Sequence, residues 1–260
     1  MVGFGPMIRA FTLACVLALL GCEAAPEPGR HAEAVSAAVT PTGPAVDVDV
    51  RSIVRAERAA HPDAFELFDR IVREWLDRRD VARNEALLSR GLRDLGDAGV
   101  GPMLDAVAGT GFAQPLDART QAAMHTALVE ALGRIEDPRA LPALRAIFER
   151  AEQQSVRTVA ARAIARTCGD LELDLLLAHA EHAHPNADAA IEGLGRCLRL
   201  PAAERLVALH ESAQDPARKA AIASALRRIS SDLVWRAPSR RNDPEGAEIR
   251  KVVARALGPR

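Results

Sequence analysis

The chain has 260 residues, 48% of them hydrophobic but only 3% aromatic, with no tyrosine and a formal net charge of -1. Nucleic-acid binders usually carry a clear basic excess, so 34 basic against 35 acidic residues argue against a phosphate backbone as partner. Small apolar residues with few rings suit closely packed helices better than the broad interior of a β-sandwich, and the expected class is all-α.

Residues 7–22 read MIRAFTLACVLALLGC: Arg9, then an apolar stretch from Ala10 to Leu20, then Gly21 and Cys22. A run of that length suits a signal peptide and falls short of the about 20 apolar residues that a relaxed bilayer span needs. The ending Leu19-Leu20-Gly21-Cys22 resembles the bacterial lipobox, in which an aliphatic residue, a tolerant position and a small residue precede a lipidated cysteine. Leu20 departs from the Ala, Ser or Thr usual at the second position. The resemblance implies that residues 1–21 are a signal peptide and that Cys22 is lipidated. Acyl chains there would tie the mature protein to a membrane of the bacterial cell envelope, facing the periplasm or exterior. Residues 22–48 then comprise the lipidated cysteine and an Ala/Pro-rich stretch. It has no apolar period, cannot bury enough to order itself, and reads as a tether.

From Asp49 onward the apolar spacing is helical. Residues 49–80 are expected to form N-terminal capping helices. Val50, Ile53 and Val54 follow i, i+3, i+4, with Glu57 interrupting the stripe, and Phe68, Ile71, Val72 and Trp75 complete a second one. Across residues 81–260 the same spacing recurs in Leu88, Gly91, Leu92 and Leu95, then in Val100, Met103, Leu104 and Val107. It returns in Val156, Val159, Ala160 and Ala163, in Leu173, Leu176, Leu177 and Ala180, in Ala187, Ala190, Ile191 and Leu194, and in Ile222, Ala225, Leu226 and Ile229. Asp137-Pro138 and Asp215-Pro216 pair a capping carboxylate with proline in the first helical turn, where the missing N–H costs nothing. Asp63, Asp117, Asp170 and Asn186 suit the same capping role. Pro142 lies inside the stripe Leu141, Leu144, Phe148, so that helix either begins after Pro138 or bends.

Four segments share one ending: Ala131-Leu132-Gly133-Arg134, Ala163-Ile164-Ala165-Arg166, Gly193-Leu194-Gly195-Arg196 and Ala225-Leu226-Arg227-Arg228. A period near 30 residues that holds one helical hairpin marks a solenoid, in which each unit buries its stripe only against its neighbours. The run from Leu132 through Asp137-Pro138-Arg139-Ala140 to Leu144 resembles the short HEAT-like repeat of phycobilisome lyase-type proteins. Asp215-Pro216 leading to Ala225-Leu226 is similar to the second helix of that unit. The resemblance covers about Leu88 to Leu257 and implies a right-handed α-solenoid of HEAT-like helical hairpins. It implies little about activity, because such repeats serve scaffolds, adaptors and a few enzymes.

Cys168 and Cys197 follow the shared ending in adjacent units. In an oxidising compartment they are either a disulfide between stacked hairpins or two buried thiols. Arg134, Arg166, Arg196 and Arg228 hold one position in four units. They form either a binding surface for acidic groups or cations that suit the last turn of a helix. Trp235, in the polar stretch from Ser230 to Gly246, is a further candidate for a binding surface or an end cap of the core. His179, His182 and His184 are weak candidates for a metal, and no metal or other cofactor is expected. There is no G-x-S-x-G, P-loop, C-x-x-C or H-E-x-x-H, so no catalytic residue is assigned. The expected partner is an envelope protein or peptide held by a membrane-tethered scaffold. The alternatives are a metal-dependent enzyme built on the three histidines and a spacer with no specific ligand.

Overall fold

A computed structural model describes residues 48–78, 80–109, 116–181, 184–231 and 243–258. All of them fall in one unit, Thr40–Arg260. Every regular element among them is helical, so the chain is all-α. The expected signal peptide, Cys22, the expected tether up to residue 47, His182 and Trp235 lie outside the described residues.

Twelve α-helices follow in chain order among the described residues: α1 Val48–Ala60, α2 Pro62–Leu76, α3 Glu85–Arg93, α4 Val100–Val107, α5 Ala118–Ile135 and α6 Leu141–Arg150, then α7 Gln154–Thr167, α8 Asp170–Glu181, α9 Ala187–Leu194, α10 Leu200–Ser212, α11 Pro216–Ile229 and α12 Pro244–Leu257. Short 3-10 turns precede α3, α4 and α6. One row forms where α3 packs on α5, α5 on α7, α7 on α9 and α9 on α11. Outside that row α1 packs on α4, α8 on α10 and α10 on α12. The pairs α4 with α5, α8 with α9 and α10 with α11 join these helices to the row, and α6 packs on α7. Connections of a few residues between paired helices leave them little choice but to run back along each other.

The core explains the scarcity of rings. Its fully buried positions are dominated by alanine and leucine, such as Ala127, Ala131, Ala160, Ala190 and Ala203 beside Leu128, Leu132, Leu176 and Leu194. Phe148 is the largest side chain that is entirely enclosed. Trp75, 2% exposed, points its ring N–H at the Asn84 carbonyl, 3.1 Å away. Small side chains let the row of helices approach to backbone contact. A Cβ placed on Gly133 would lie 2.7 Å from the Ala163 Cα, and one on Gly195 would lie 2.9 Å from the Ala225 Cα. In these two interfaces the third position of one ending meets the first position of the next, while between them Gly193 lies against Ala161 of α7.

Several caps follow the sequence. Asp117 accepts from the N–H groups of Arg119 and Thr120, both at 3.0 Å, and Asp215 accepts from Ala217 and Arg218. Asp137 caps the short 3-10 turn Pro138–Ala140, after which α6 begins with Pro142 in its first turn, so the helix starts late and does not bend there. Asp63 instead lies inside the first turn of α2, and Asp170 opens α8. Asn186 precedes α9 without capping it: its side-chain amide donates to the Phe148 carbonyl at 3.0 Å. Leu95 leaves the helical stripe because α3 ends at Arg93, ahead of Gly96 with φ +60°.

Glu57, the residue that interrupts the first stripe, has a long-range partner. Arg139 pairs with it, holds both oxygens of Asp137 at 3.0 Å through Nε, and donates to the Asp97 carbonyl at 3.2 Å. The hydrogen bond to Asp137 leads the causes that raise the Arg139 pKa above its ordinary value. One guanidinium thus ties α1 and the turn before α4 to the start of α6.

Candidate functional site

Arginines stand in the last turns of α3, α5, α7 and α11 and in the turn just beyond α9, and the carboxylates that meet those of the repeated ending lie four residues earlier in alternate units. Glu130 accepts from Arg134 on its own helix at 2.8 Å and from Arg166 of the next at 3.3 Å. Glu192 accepts from Arg162 of the preceding helix at 2.8 Å and pairs with Arg228 of the following one. Arg196, on the turn after α9, has its Nε 3.9 Å from Glu192. Two shared carboxylates thus gather the four arginines of the repeated ending, and the Arg166–Glu130 and Arg228–Glu192 pairs cross helix interfaces. A cation in a last turn also suits the helix dipole, and both effects act together here.

Compensation is unequal between the two signs. Burial works to raise the Glu192 carboxyl, but hydrogen bonds from Arg228 and the charges of Arg162 and Arg228 outweigh it and hold the pKa below the ordinary 4.5. Arg196 moves the other way for a cation with a carboxylate nearby. Burial first, then the charges of Arg162 and Arg228, push its pKa down. Arg166 is likewise lowered by burial, with Arg134 and Arg162 adding to the effect. One carboxylate serves three guanidiniums, so the carboxylate is over-supplied and the cations are under-supplied.

Glu192→Gln removes that shared counter-charge. The expected loss of folding stability at pH 7 is about 1–2 kcal/mol, less than for a fully buried pair because the Glu192 side chain keeps 21% of its exposure. Since its folded pKa is depressed, the contribution is complete above the ordinary 4.5 and fades as pH falls through the lower folded value. The gap between wild type and variant in urea titrations should therefore narrow at pH 3. A gap of the same size at both pH values would exclude charge as its cause.

Beside this cluster a cleft of about 620 Å³ opens at the ends of α7, α9 and α11. Arg166, Arg196, Arg199 and Arg228 line it, with Ala165, Thr167, Gly195 and Leu198 between them and Glu136 and Glu245 also in the lining. Cys168 forms part of the wall and is joined to Cys197 by a disulfide, with Cα atoms 5.5 Å apart. That approach is closer than the about 8–10 Å between neighbouring helix axes. Both cysteines stand in the turns beyond α7 and α9, where the backbones converge. Cys168 takes the left-handed conformation at φ 31°, closing α7 with its N–H on the Ile164 carbonyl at 3.2 Å. Arg199 spans the same turn, donating to the Cys168 carbonyl at 3.3 Å and to Asp170 at 2.7 Å.

The histidines form a separate arrangement between α8 and α9. His179 Nδ1 lies 3.2 Å from His184 Nδ1, and His184 Nδ1 also accepts the Asn186 backbone N–H at 3.1 Å. The second bond leaves His184 Nδ1 as an acceptor, so His179 is the donor of the pair. His179 stacks edge-on against Phe148, with ring centroids 4.9 Å apart. Among the described residues no group of three or more His, Cys, Asp or Glu side chains is arranged to hold a metal ion. Burial and then the neighbouring His184 lower the His179 pKa, against a smaller opposing effect of Glu149. Burial also lowers His125 and His210. A depressed folded pKa makes the neutral form the stabilising one. Stability should be complete above the ordinary 6.5 and decline as pH falls below it. His179→Gln should flatten part of that decline in thermal melts between pH 7 and pH 5; an unchanged slope would assign the dependence to His125 and His210.

Of the sequence candidates, the structure brings Arg166, Arg196, Arg228, Cys168 and Cys197 to one end of the helix row, with Arg134 at its margin. It keeps His179 and His184 apart from them. Glu130 was not singled out in the sequence, and Glu192 only as one charge on a polar helix face beside Arg157, Arg162 and Lys219. The signal was present, since each stands four residues before an arginine of the repeated ending. Arg162 and Arg199 carry no such mark, because their partners lie about 30 residues away in the chain. No helix among the described residues is long and apolar enough to cross a membrane. The sequence matches no known protein family, and no characterised protein matches it.

Proposed function

We propose that the protein is a membrane-tethered adaptor of the bacterial cell envelope: a right-handed α-solenoid of HEAT-like hairpins, lipidated at Cys22, that holds another envelope protein or peptide. The observation that carries this reading is the serial packing of α3, α5, α7, α9 and α11, with the four-residue ending in close contact between α5 and α7 and between α9 and α11. A stack built that way buries each unit against its neighbours and presents a long surface of side chains on rigid helices, a form suited to recognition. The anchor rests on the lipobox resemblance of Leu19 to Cys22, followed by an Ala/Pro-rich tether.

The test is crosslinking in intact cells with the full chain as bait, run beside Cys22→Ser. One discrete envelope partner, lost or much reduced when the anchor is lost, supports the adaptor. Absence of any enriched partner in both strains overturns it.

A further inference from the structure

The under-supplied cations face one space. Arg196 Nε is shielded from solvent and has no hydrogen-bond partner, its closest carboxylate oxygen being 3.9 Å away on Glu192. Arg166 reaches Glu130 with one terminal nitrogen at 3.3 Å. A guanidinium carries five N–H donors in a fixed fork, matched to the two oxygens of a carboxylate. Both side chains therefore retain donor capacity in the wall of the 620 Å³ cleft. A volume of that order lies within the about 300–1,000 Å³ typical of ligand sites.

We propose that this cleft binds a carboxylate of an acidic peptide segment, with Arg196 and Arg166 as its principal donors and Arg228 and Arg199 at its sides. The inference rests on the adaptor reading and names the chemistry of the partner. Two features favour a peptide carboxylate over phosphate or a surface of anionic lipid. Glu136 and Glu245 line the same cleft, and their charges oppose a dianion or a sheet of headgroups. A peptide brings one carboxylate among neutral side chains, and Leu198 and Ala165 offer apolar contact beside the arginines. Desolvated guanidiniums without full compensation gain most from such an anion, because the carboxylate restores the counter-charge that Glu192 divides three ways.

Random heptapeptides displayed on phage and selected on the mature chain test the site. Aspartate or glutamate should be enriched at a fixed position, and the best peptide, fluorescently labelled, should bind Arg196→Gln at least tenfold more weakly by anisotropy. Replacing its acidic residue by the amide should cause a similar loss. If Arg196→Gln fails to fold by circular dichroism, Arg166→Gln carries the same expectation. Selection without acidic enrichment, or equal affinity for the variant and wild type, overturns the proposal. So does displacement of the peptide by millimolar inorganic phosphate, which would mark a small-anion site. Tighter binding to phosphatidylglycerol vesicles than to any selected peptide would mark a lipid site and also overturns it. In cells, a partner captured equally well by Arg196→Gln removes this inference and leaves the adaptor standing. No captured partner at all removes the adaptor.

Discussion

Replacing Cys168 and Cys197 together by alanine is expected to lower folding stability by about 2–4 kcal/mol under oxidising conditions. The bridge closes a loop across a sequence separation of 29 residues and encloses α8 and α9 whole. Without it the unfolded chain gains the freedom of that loop, and the turns that follow α7 and α9 are no longer tied to each other. For a chain of this size the loss corresponds to a melting temperature lower by roughly 4–16 °C. Dithiothreitol should reproduce the effect in wild type and add nothing to the double variant. Equal midpoints with and without reductant would mean that the bridge does not form in solution.

The single substitutions separate two contributions at this turn. Cys168 sits at φ 31°, a conformation that costs an L-residue roughly 1 kcal/mol and glycine nothing. Cys168→Gly should therefore be less damaging than Cys168→Ala by up to about 1 kcal/mol, although both remove the bridge. Cys197→Ala should resemble Cys168→Ala. The turn also carries Arg199, which donates to the Cys168 carbonyl and to Asp170. Loosening it should disturb one wall of the arginine cleft as well as the stability of the helix pair.

The class of the fold was legible because the signals for it are local. The i, i+3, i+4 stripes fall within the helices, and the Asp-Pro starts at Asp137 and Asp215 cap where the sequence puts them. The recurrence of the four-residue ending pointed to successive helices in contact, and Gly133 against Ala163 and Gly195 against Ala225 show the contact that the recurrence serves. Local signals failed where a long-range bond competes for the same side chain. Asn186 has the chemistry of a cap, yet it spends its amide on Phe148, 38 residues earlier. Glu57 looked like a fault in an apolar stripe until Arg139, 82 residues later, supplied its partner. The site divides in the same way. Repeat spacing marked the arginines, and an i, i+4 reading marks Glu130 and Glu192. That Glu192 is shared by Arg162, Arg196 and Arg228 depends on how three helices are stacked.

The largest loss expected from one substitution lies at Gly133. In the middle of an exposed helix, alanine in place of glycine ordinarily stabilises by roughly 1 kcal/mol, because the backbone has less freedom to lose. Here any Cβ would stand 2.7 Å from the Ala163 Cα, a backbone atom that no change of rotamer can withdraw. Gly133→Ala should therefore destabilise despite its better helix propensity, and Gly133→Val, with two further methyl groups at the same contact, should cost about 3 kcal/mol or more. Gly91→Ala provides the contrast. Its new Cβ would meet only the Ile71 Cγ2 at 3.3 Å, the tip of a side chain that can shift, so the outcome should be near neutral. Adding Ala163→Gly to Gly133→Ala should rescue little, since it removes the Ala163 Cβ and leaves the Cα in place. Urea titrations of these variants read the spacing between α5 and α7 directly. If Gly133→Ala proves as stable as wild type, the two helices do not touch at this point. The close register that sets Glu130 between Arg134 and Arg166 would then fail with it.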